Sequence, residues 1–518
     1  MRRPALAART RPGTPGGPAR LSALALLTAL AACAVGPDFH KPTPSAPAQW
    51  SERHGGPTPL PTATEAVPQP ADLWTRFHDP ELSRLLERAR AANPDLKIAM
   101  LHWAQARVQE STVAAQHFPQ VSATADAARR RDSRYGASTR IVDVLGGGNA
   151  EQILNALSAP YALYRAGFDA SWEADLWGRV RRSVEAAGAG TDERAALLRQ
   201  ARLGVAADLA RSFFRLRACQ YQLVLLHQQI QLALDAEQLL TTQRDAGLID
   251  ASVLLRQQQQ LAELRAQLPV LQSQEARSTN QISLLVGAQP GELNDELAAA
   301  ATAPEPALPD LQAGVPSEFV RRRPDIAAAE ARLHRATASI GIAAADLYPR
   351  ITLGATFGLE SVSASQFGAW GARSWSIGPA LSVPVFDHGR RTATVTLRRL
   401  EQQEAAVAYQ QTVLQAWHEV DDALSSYWAE SGHHAQLADR LRRSEELANL
   451  AQIRAAQGLI SDLEKLDTQS AAIRARQDWS QSSAQLSITL IALYKAMGDD
   501  GVAQPSGTYG DAATPGSR

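Results

Sequence analysis

The chain has 518 residues, 45% of them hydrophobic and 20% charged, and its 52 basic and 53 acidic residues leave a formal charge of −1. That balance offers no basic field for nucleic acid, and two cysteines, Cys33 and Cys219, exclude a disulfide scaffold or a cysteine-rich metal site. No apolar run reaches the ~18 residues of a spanning helix, so composition alone describes an ordinary soluble protein of three or four domains at roughly 100–200 residues each.

The N-terminus argues otherwise. Arg2, Arg3, Arg9, Arg11 and Arg20 form a basic leader, and Leu21 to Ala32 is apolar or small apart from one serine and one threonine. These are the charged and apolar regions of a secretory signal, too short to span as a stable helix. The run ends in Leu30-Ala31-Ala32-Cys33 and resembles a bacterial lipoprotein signal. That resemblance implies removal of residues 1–32 and acylation of Cys33, and Ala34 in place of aspartate implies sorting to the outer membrane. A plain signal with a cysteine nearby is the alternative. The leader is long, so the true start is expected downstream of Met1. From Gly36 to Pro70 stand nine prolines, a composition that cannot pack a core, so residues 33–70 are expected to run as an extended tether.

The remaining chain reads as one unit written twice. Asn93-Pro94-Asp95-Leu96 is echoed by Arg323-Pro324-Asp325-Ile326, and Phe118-Pro119-Gln120-Val121 by Tyr348-Pro349-Arg350-Ile351, both at an offset of 230. Gly167 with Gly378, Gly178 with Gly389, Gly247 with Gly458 and Gly287 with Gly498 share an offset of 211. The first copy therefore carries 19 extra residues between Val121 and Gly167. The expected boundaries are 71–287 for the first copy, 288–316 for a connector, 317–498 for the second copy and 499–518 for a polar, disordered tail.

Each copy has the same predicted order. A helix capped at Asn93, with Pro94 first and Asp95 in its opening turn, runs to about Gln116. Two strands follow. Ile351, Leu353, Ala355, Phe357 and Leu359 alternate with small or polar residues, as do Trp375, Ile377, Pro379, Leu381, Val383 and Val385. The first copy repeats this with Val121, Ala123, Ala125 and Ala127, then with Phe168, Ala170, Trp172, Ala174 and Leu176. No proline interrupts Val180 to Arg244, and sixty-five helical residues span roughly 98 Å, a length suited to a coiled coil or helical barrel. Gly247 stops that helix and a return helix covers Ser252 to Val286; Arg391 to Ala455, Gly458 and Leu463 to Met497 repeat the pattern. Gly146-Gly147-Gly148 lacks the lysine of a phosphate loop and is expected in an external loop. His418-Glu419-Val420-Asp421-Asp422 lacks a second histidine at metalloprotease spacing and reads as a solvated face; Cys219 reads as packing.

Four strands of roughly ten residues suit a tilted bilayer crossing, but a sheet in lipid must close and bacterial barrels begin at about eight strands. Three chains would supply twelve. A soluble sheet stacked on a helical bundle is the alternative.

At this point the residues reach a family. Cys33-Ala34-Val35-Gly36-Pro37-Asp38-Phe39, Trp74 with Phe77-His78-Asp79-Pro80-Glu81-Leu82, and Val315-Pro316-Ser317-Glu318-Phe319 with Arg322-Arg323-Pro324-Asp325-Ile326 resemble the TolC-like outer-membrane efflux factors, in particular the acylated NodT-type branch serving multidrug pumps. The resemblance covers most of residues 33–498. It implies a mainly α protein with a membrane β-barrel: a homotrimer with a twelve-stranded barrel on a twelve-helix α-barrel, bound by outer-membrane lipid. It further implies docking onto a periplasmic adaptor and an inner-membrane RND-type pump, with no catalysis and no cofactor. An exit duct for protein secretion is the alternative within transport, and a periplasmic coiled-coil scaffold without a pore the alternative outside it.

The resemblance also places the working residues at the hairpin tips. Gly247-Leu248-Ile249 and Gly458-Leu459-Ile460 fall where family members meet the adaptor, glycine allowing the turn and exposed Leu and Ile offering apolar contact. The alternative is that these leucines only staple the turn. Glu464 and Asp467 match acidic positions lining the closed entrance, and threefold symmetry would make each a carboxylate ring. Ser461-x-x-Glu464 is also a capping box, which gives Glu464 a second explanation that Asp467 lacks. Ile460 stands where the family's gate uses an arginine, so those inter-subunit bonds do not carry over.

Overall fold

The computed structural model describes residues 34–43, 73–136, 139–140, 142, 147–298 and 322–498. Cys33 and the leader lie outside these residues, as do most of the expected tether, most of the expected connector and the tail. The described chain is mainly helical.

Its helices begin where capping chemistry allows. Helix α1, Pro80–Ala92, starts at Asp79, whose carboxylate accepts the N–H groups of Glu81 and Leu82 at 2.9 Å each. Asn93 ends α1 and caps α2, Pro94–Ala114, accepting from Leu96 N–H at 3.0 Å. After a 3-10 turn, Ala115–His117, comes β1, Gln120–Arg130. Helix α3, Ala150–Leu157, precedes β2, Tyr161–Ala174. The connection between β1 and β2, where Gly147–Asn149 forms a 3-10 turn, also holds α3, which the sequence reading did not foresee: the run AEQILNAL consists of helix formers with Glu151 in the first turn.

The long helices match their sequence bounds to within a residue. They are α4, Arg179–Asp245, and α5, Ala251–Leu285, then later α8, Arg390–Ala456, and α9, Asp462–Ala496. Between the pairs stand the short α6, Asn294–Leu297, then α7, Pro324–Ala345, β3, Arg350–Ser361, and β4, Arg373–Ser382. The apolar alternation was expected to continue to Leu176, Val383 and Val385; β2 stops at Ala174 and β4 at Ser382, and Val385 is 91% exposed.

Two compact units divide this chain. The first takes the segment ending at His40 with Ala106–Gly190 and Leu333–Ala405, and holds one antiparallel sheet in the order β1-β2-β3-β4. Against its helices lies the segment from Ala34 to His40. Val35 N–H donates to Trp177 O at 3.1 Å, Phe39 stacks on His334 with centroids 4.3 Å apart, and Arg182 donates to Asp38 at 2.5 Å.

The second unit comprises Lys41–Gln105, Thr191–Arg332 and the chain from Ala406 onward. Its core gathers Trp74, Phe77, Leu82 and Leu86 with Leu209, Phe213 and Leu216 of α4, Ile282 of α5, Leu424 of α8 and Leu490, Leu493 and Tyr494 of α9. Each fully buried leucine there contributes roughly 1.5–3 kcal/mol. Cys219 is buried as expected of packing, and burial pushes its thiol up to about 11.

Candidate functional site

In the sheet unit, register decides the chemistry. Successive partners place Ala123, Phe168, Phe357 and Trp375 in one row across the four strands, and Val121, Ala170, Ala355 and Ile377 in the next. Since side chains alternate faces, every apolar series read from the sequence falls on one common face. It is a face without cover: Phe168, Phe357, Trp375, Ile377 and Leu381 are all more than half exposed. The opposite face is polar and small. There Thr124 donates to Asp169 at 3.1 Å, Arg165 to Glu360 at 2.8 Å, and Gly167 faces Gly358. At that glycine pair a Cβ added to Gly167 would lie 2.7 Å from Phe357 O. Among the described residues β1 and β4 are open edges.

Aromatic rings mark both ends of this sheet. Near the helix-joined ends Trp172 donates to His117 O at 2.9 Å and Trp177 stacks on Tyr348 at 4.8 Å. At the other end Tyr164 meets Phe367 edge-on at 6.3 Å, and the guanidinium of Arg373 lies 3.9 Å from the ring centre of Trp370.

In the second unit the hairpin turns are built alike. At the first, Gly247 takes φ 69° and donates to Arg244 O at 2.8 Å, while Leu248 N–H reaches Gln243 O at 2.9 Å. At the second, Gly458 takes φ 71°, donates to Ala455 O at 2.9 Å, and Leu459 N–H reaches Arg454 O at 2.9 Å. This six-to-one and five-to-two pattern closes a helix with glycine in the left-handed region. Asp250 then caps α5 and Ser461 caps α9. The Ser252 backbone N–H, with its hydroxyl, holds the Asp250 carboxyl below the usual carboxylate range.

The turn residues do not share one fate. Leu248 and Leu459 are 74% and 65% exposed, whereas Ile249 and Ile460 are half-buried. That corrects the expectation that all four project. Each isoleucine immediately precedes the cap, and Leu254, four residues into α5, is buried, so Ile249 and Leu254 occupy the positions of a hydrophobic staple.

Glu464 and Asp467 stand one turn apart on α9, both exposed. Ser461 Oγ accepts the Glu464 N–H at 3.2 Å. Among the described residues neither the Glu464 nor the Asp467 carboxylate has a hydrogen-bond or ion-pair partner, so the capping box is made only by its serine half. Arg256 occupies in α5 the place that Asp467 occupies in α9 at the offset of 211. That contrast was readable from the repeat alone.

The arginine-proline-aspartate block has a further role that its sequence pattern did not disclose. The Arg323 side chain, 8% exposed, donates to Ala496 O and to Asp325 and Glu419, each at 2.6 Å. Burial opposes its charge, but the two carboxylates outweigh that and raise its pKa. Glu419, expected on a solvated face, is therefore half-buried and bound. In the first copy Asn93 donates instead to Leu285 O at 2.8 Å.

One unit thus holds a sheet with an uncovered apolar face and the other holds long capped helical hairpins, and comparison with known proteins identifies the class to which such a chain belongs. A model described as outer membrane efflux protein matches residues 85–288 and 315–499. The chain belongs to that family and is an outer-membrane protein. It is 29% identical over 488 residues to the outer membrane protein OprJ of Pseudomonas aeruginosa, covering 92% of this chain and 95% of that one. It is also 29% identical to the pyoverdine export outer membrane protein OpmQ of Pseudomonas putida, over 93% of this chain and 97% of that one. Among solved structures the outer-membrane channel OprN superposes with a TM-score of 0.75 at 30% identity, covering 90% of this chain and 99% of that one.

Proposed function

We propose that this chain forms the outer-membrane channel of a tripartite efflux system, a passive exit duct for small molecules delivered by an inner-membrane RND-type pump through a periplasmic adaptor. The observation that carries the reading is the sheet: four strands with one continuous apolar face, one polar face and two open edges. In lipid every edge must pair, and three copies bring β4 of one chain beside β1 of the next to close twelve strands. The glycines on the polar face suit the concave side of such a barrel. The two equal helical hairpins, and the matching bonds of Asn93 and Arg323 to the ends of α5 and α9, support a duplicated chain whose trimer supplies twelve helices.

In this reading Leu248 and Leu459 meet the adaptor, and Ile249 and Ile460 hold the turns. Glu464 and Asp467 form carboxylate rings at the constriction, and Cys33 carries the lipid anchor after loss of residues 1–32. The names of the relatives weigh for efflux over protein secretion. Conductance of the purified chain in planar bilayers tests the proposal: channel steps are expected, and their absence from folded protein would return it to a scaffold.

A further inference from the structure

The apolar face of the sheet carries arginine at two places and nowhere else. Arg129 continues the row series Val121, Ala123, Ala125, Ala127 on β1, and Arg373, paired with Leu359, begins the apolar series of β4. The inner strands β2 and β3 place no charged residue on this face. Both arginines stand at the end of the sheet away from the long helices, because α4 leaves from the end of β2 and α8 follows the end of β4. Both are exposed. The same end holds the ring layer of Tyr164, Phe367 and Trp370, with the Arg373 guanidinium lying on the exposed face of Trp370. From Arg129 to Arg140 the chain has five arginines against one aspartate.

An arginine facing hydrocarbon is costly, but one at the level of an aromatic girdle extends its charge into the headgroup layer. There its fork matches phosphate oxygens. We infer that Arg129 and Arg373 bind phosphate groups of the phosphorylated glycolipid of the outer leaflet. The inference rests on the trimeric channel reading, which puts the helices in the periplasm and hence this end outside, and which closes the seams between chains. It then goes further. The two arginines lie on the two edge strands, so closure of the trimer sets Arg373 of one chain and Arg129 of the next on either side of the same seam. Each of three seams thus presents a paired cationic site that no single chain possesses. A glycolipid bearing more than one phosphate bridges the two halves and ties neighbouring chains together, with Arg131 and Arg134 adding charge above the ring layer.

Native mass spectrometry of the full-length protein in detergent tests this. The probes are purified lipopolysaccharide, the same lipid after enzymatic dephosphorylation, and phosphatidylglycerol. Wild-type protein is expected to retain lipopolysaccharide at up to three per trimer, as set by the three seams, and the other two lipids on the order of tenfold less. The R129Q/R373Q protein is expected to lose retention on the order of tenfold, as removal of two surface cations implies, while R130Q, altered on the polar face, keeps it. Equal retention of phosphatidylglycerol or of the dephosphorylated lipid would overturn the inference, as would undiminished retention by R129Q/R373Q or equal loss in R130Q. Unchanged conductance of R129Q/R373Q in planar bilayers establishes that it still folds. Wild-type protein that conducts but retains no glycolipid overturns this inference alone, whereas protein that neither assembles nor conducts overturns the channel reading and the seam with it.

Discussion

Single residues at the turns and caps make distinct predictions. Gly247 and Gly458 have open space where a Cβ would sit, nothing lying within 4 Å, so their need for glycine is conformational. Replacing either with alanine should cost about 1–2 kcal/mol of local stability, read as faster amide exchange in the flanking helix turns; Gly→Asn should cost less. Asp467→Ala should raise resting conductance several-fold, and unchanged closure would remove Asp467 from the constriction. Arg323→Ala leaves Asp325 and Glu419 partly solvated, so the loss should be about 2–3 kcal/mol, short of that for a fully buried pair, and visible as a lower thermal midpoint. Asp38 is held below the usual carboxylate range first by its hydrogen bond from Arg182 and then by that charge. A depressed pKa means the contact contributes above the ordinary carboxylate range and is lost as pH falls through the lowered value. Proteolytic release of the segment before Lys41 should therefore rise in acid and be independent of pH near neutrality.

Periodicity made most of the secondary structure legible. The long helices were readable because α4 and α8 lack any interior proline, and the strands because apolar residues alternate without error in β3. Helix α5 runs through Pro269, which sacrifices one backbone bond and leaves the rest of a 35-residue helix intact. What sequence could not supply was register. Alternation says that Phe357 and Trp375 each share a face with their own strand, but only pairing puts the two strands' apolar series on the same side. Helix α3 was missed for a different reason: eight residues within a connection between strands carry too little pattern to outweigh their loop context. The Arg323 clamp was hidden because its partners, Glu419 and Ala496, lie 96 and 173 residues away. At the scale of the sheet, Phe357→Arg should cost about 2–4 kcal/mol and block insertion, whereas Ser374→Arg on the polar face should insert normally. Yields of heat-modifiable outer-membrane protein compare the two.

At the scale of the molecule, the proposed threefold symmetry would reconcile the composition of a soluble protein with the placement of a membrane protein. A single chain exposes an apolar face that water will not tolerate and two strand edges that lipid will not tolerate. In the proposed trimer the two defects have different remedies: pairing β4 with β1 of a neighbour around a threefold axis closes the edges, and lipid covers the apolar face. In the same proposed assembly a carboxylate exposed once per chain, as Glu464 and Asp467 are, would become a ring. The most direct test is the mass of the full-length protein extracted gently from outer membranes, measured by native mass spectrometry. A species of three chains that survives removal of excess detergent is predicted. A folded monomer, or an assembly of any other number, would contradict the account.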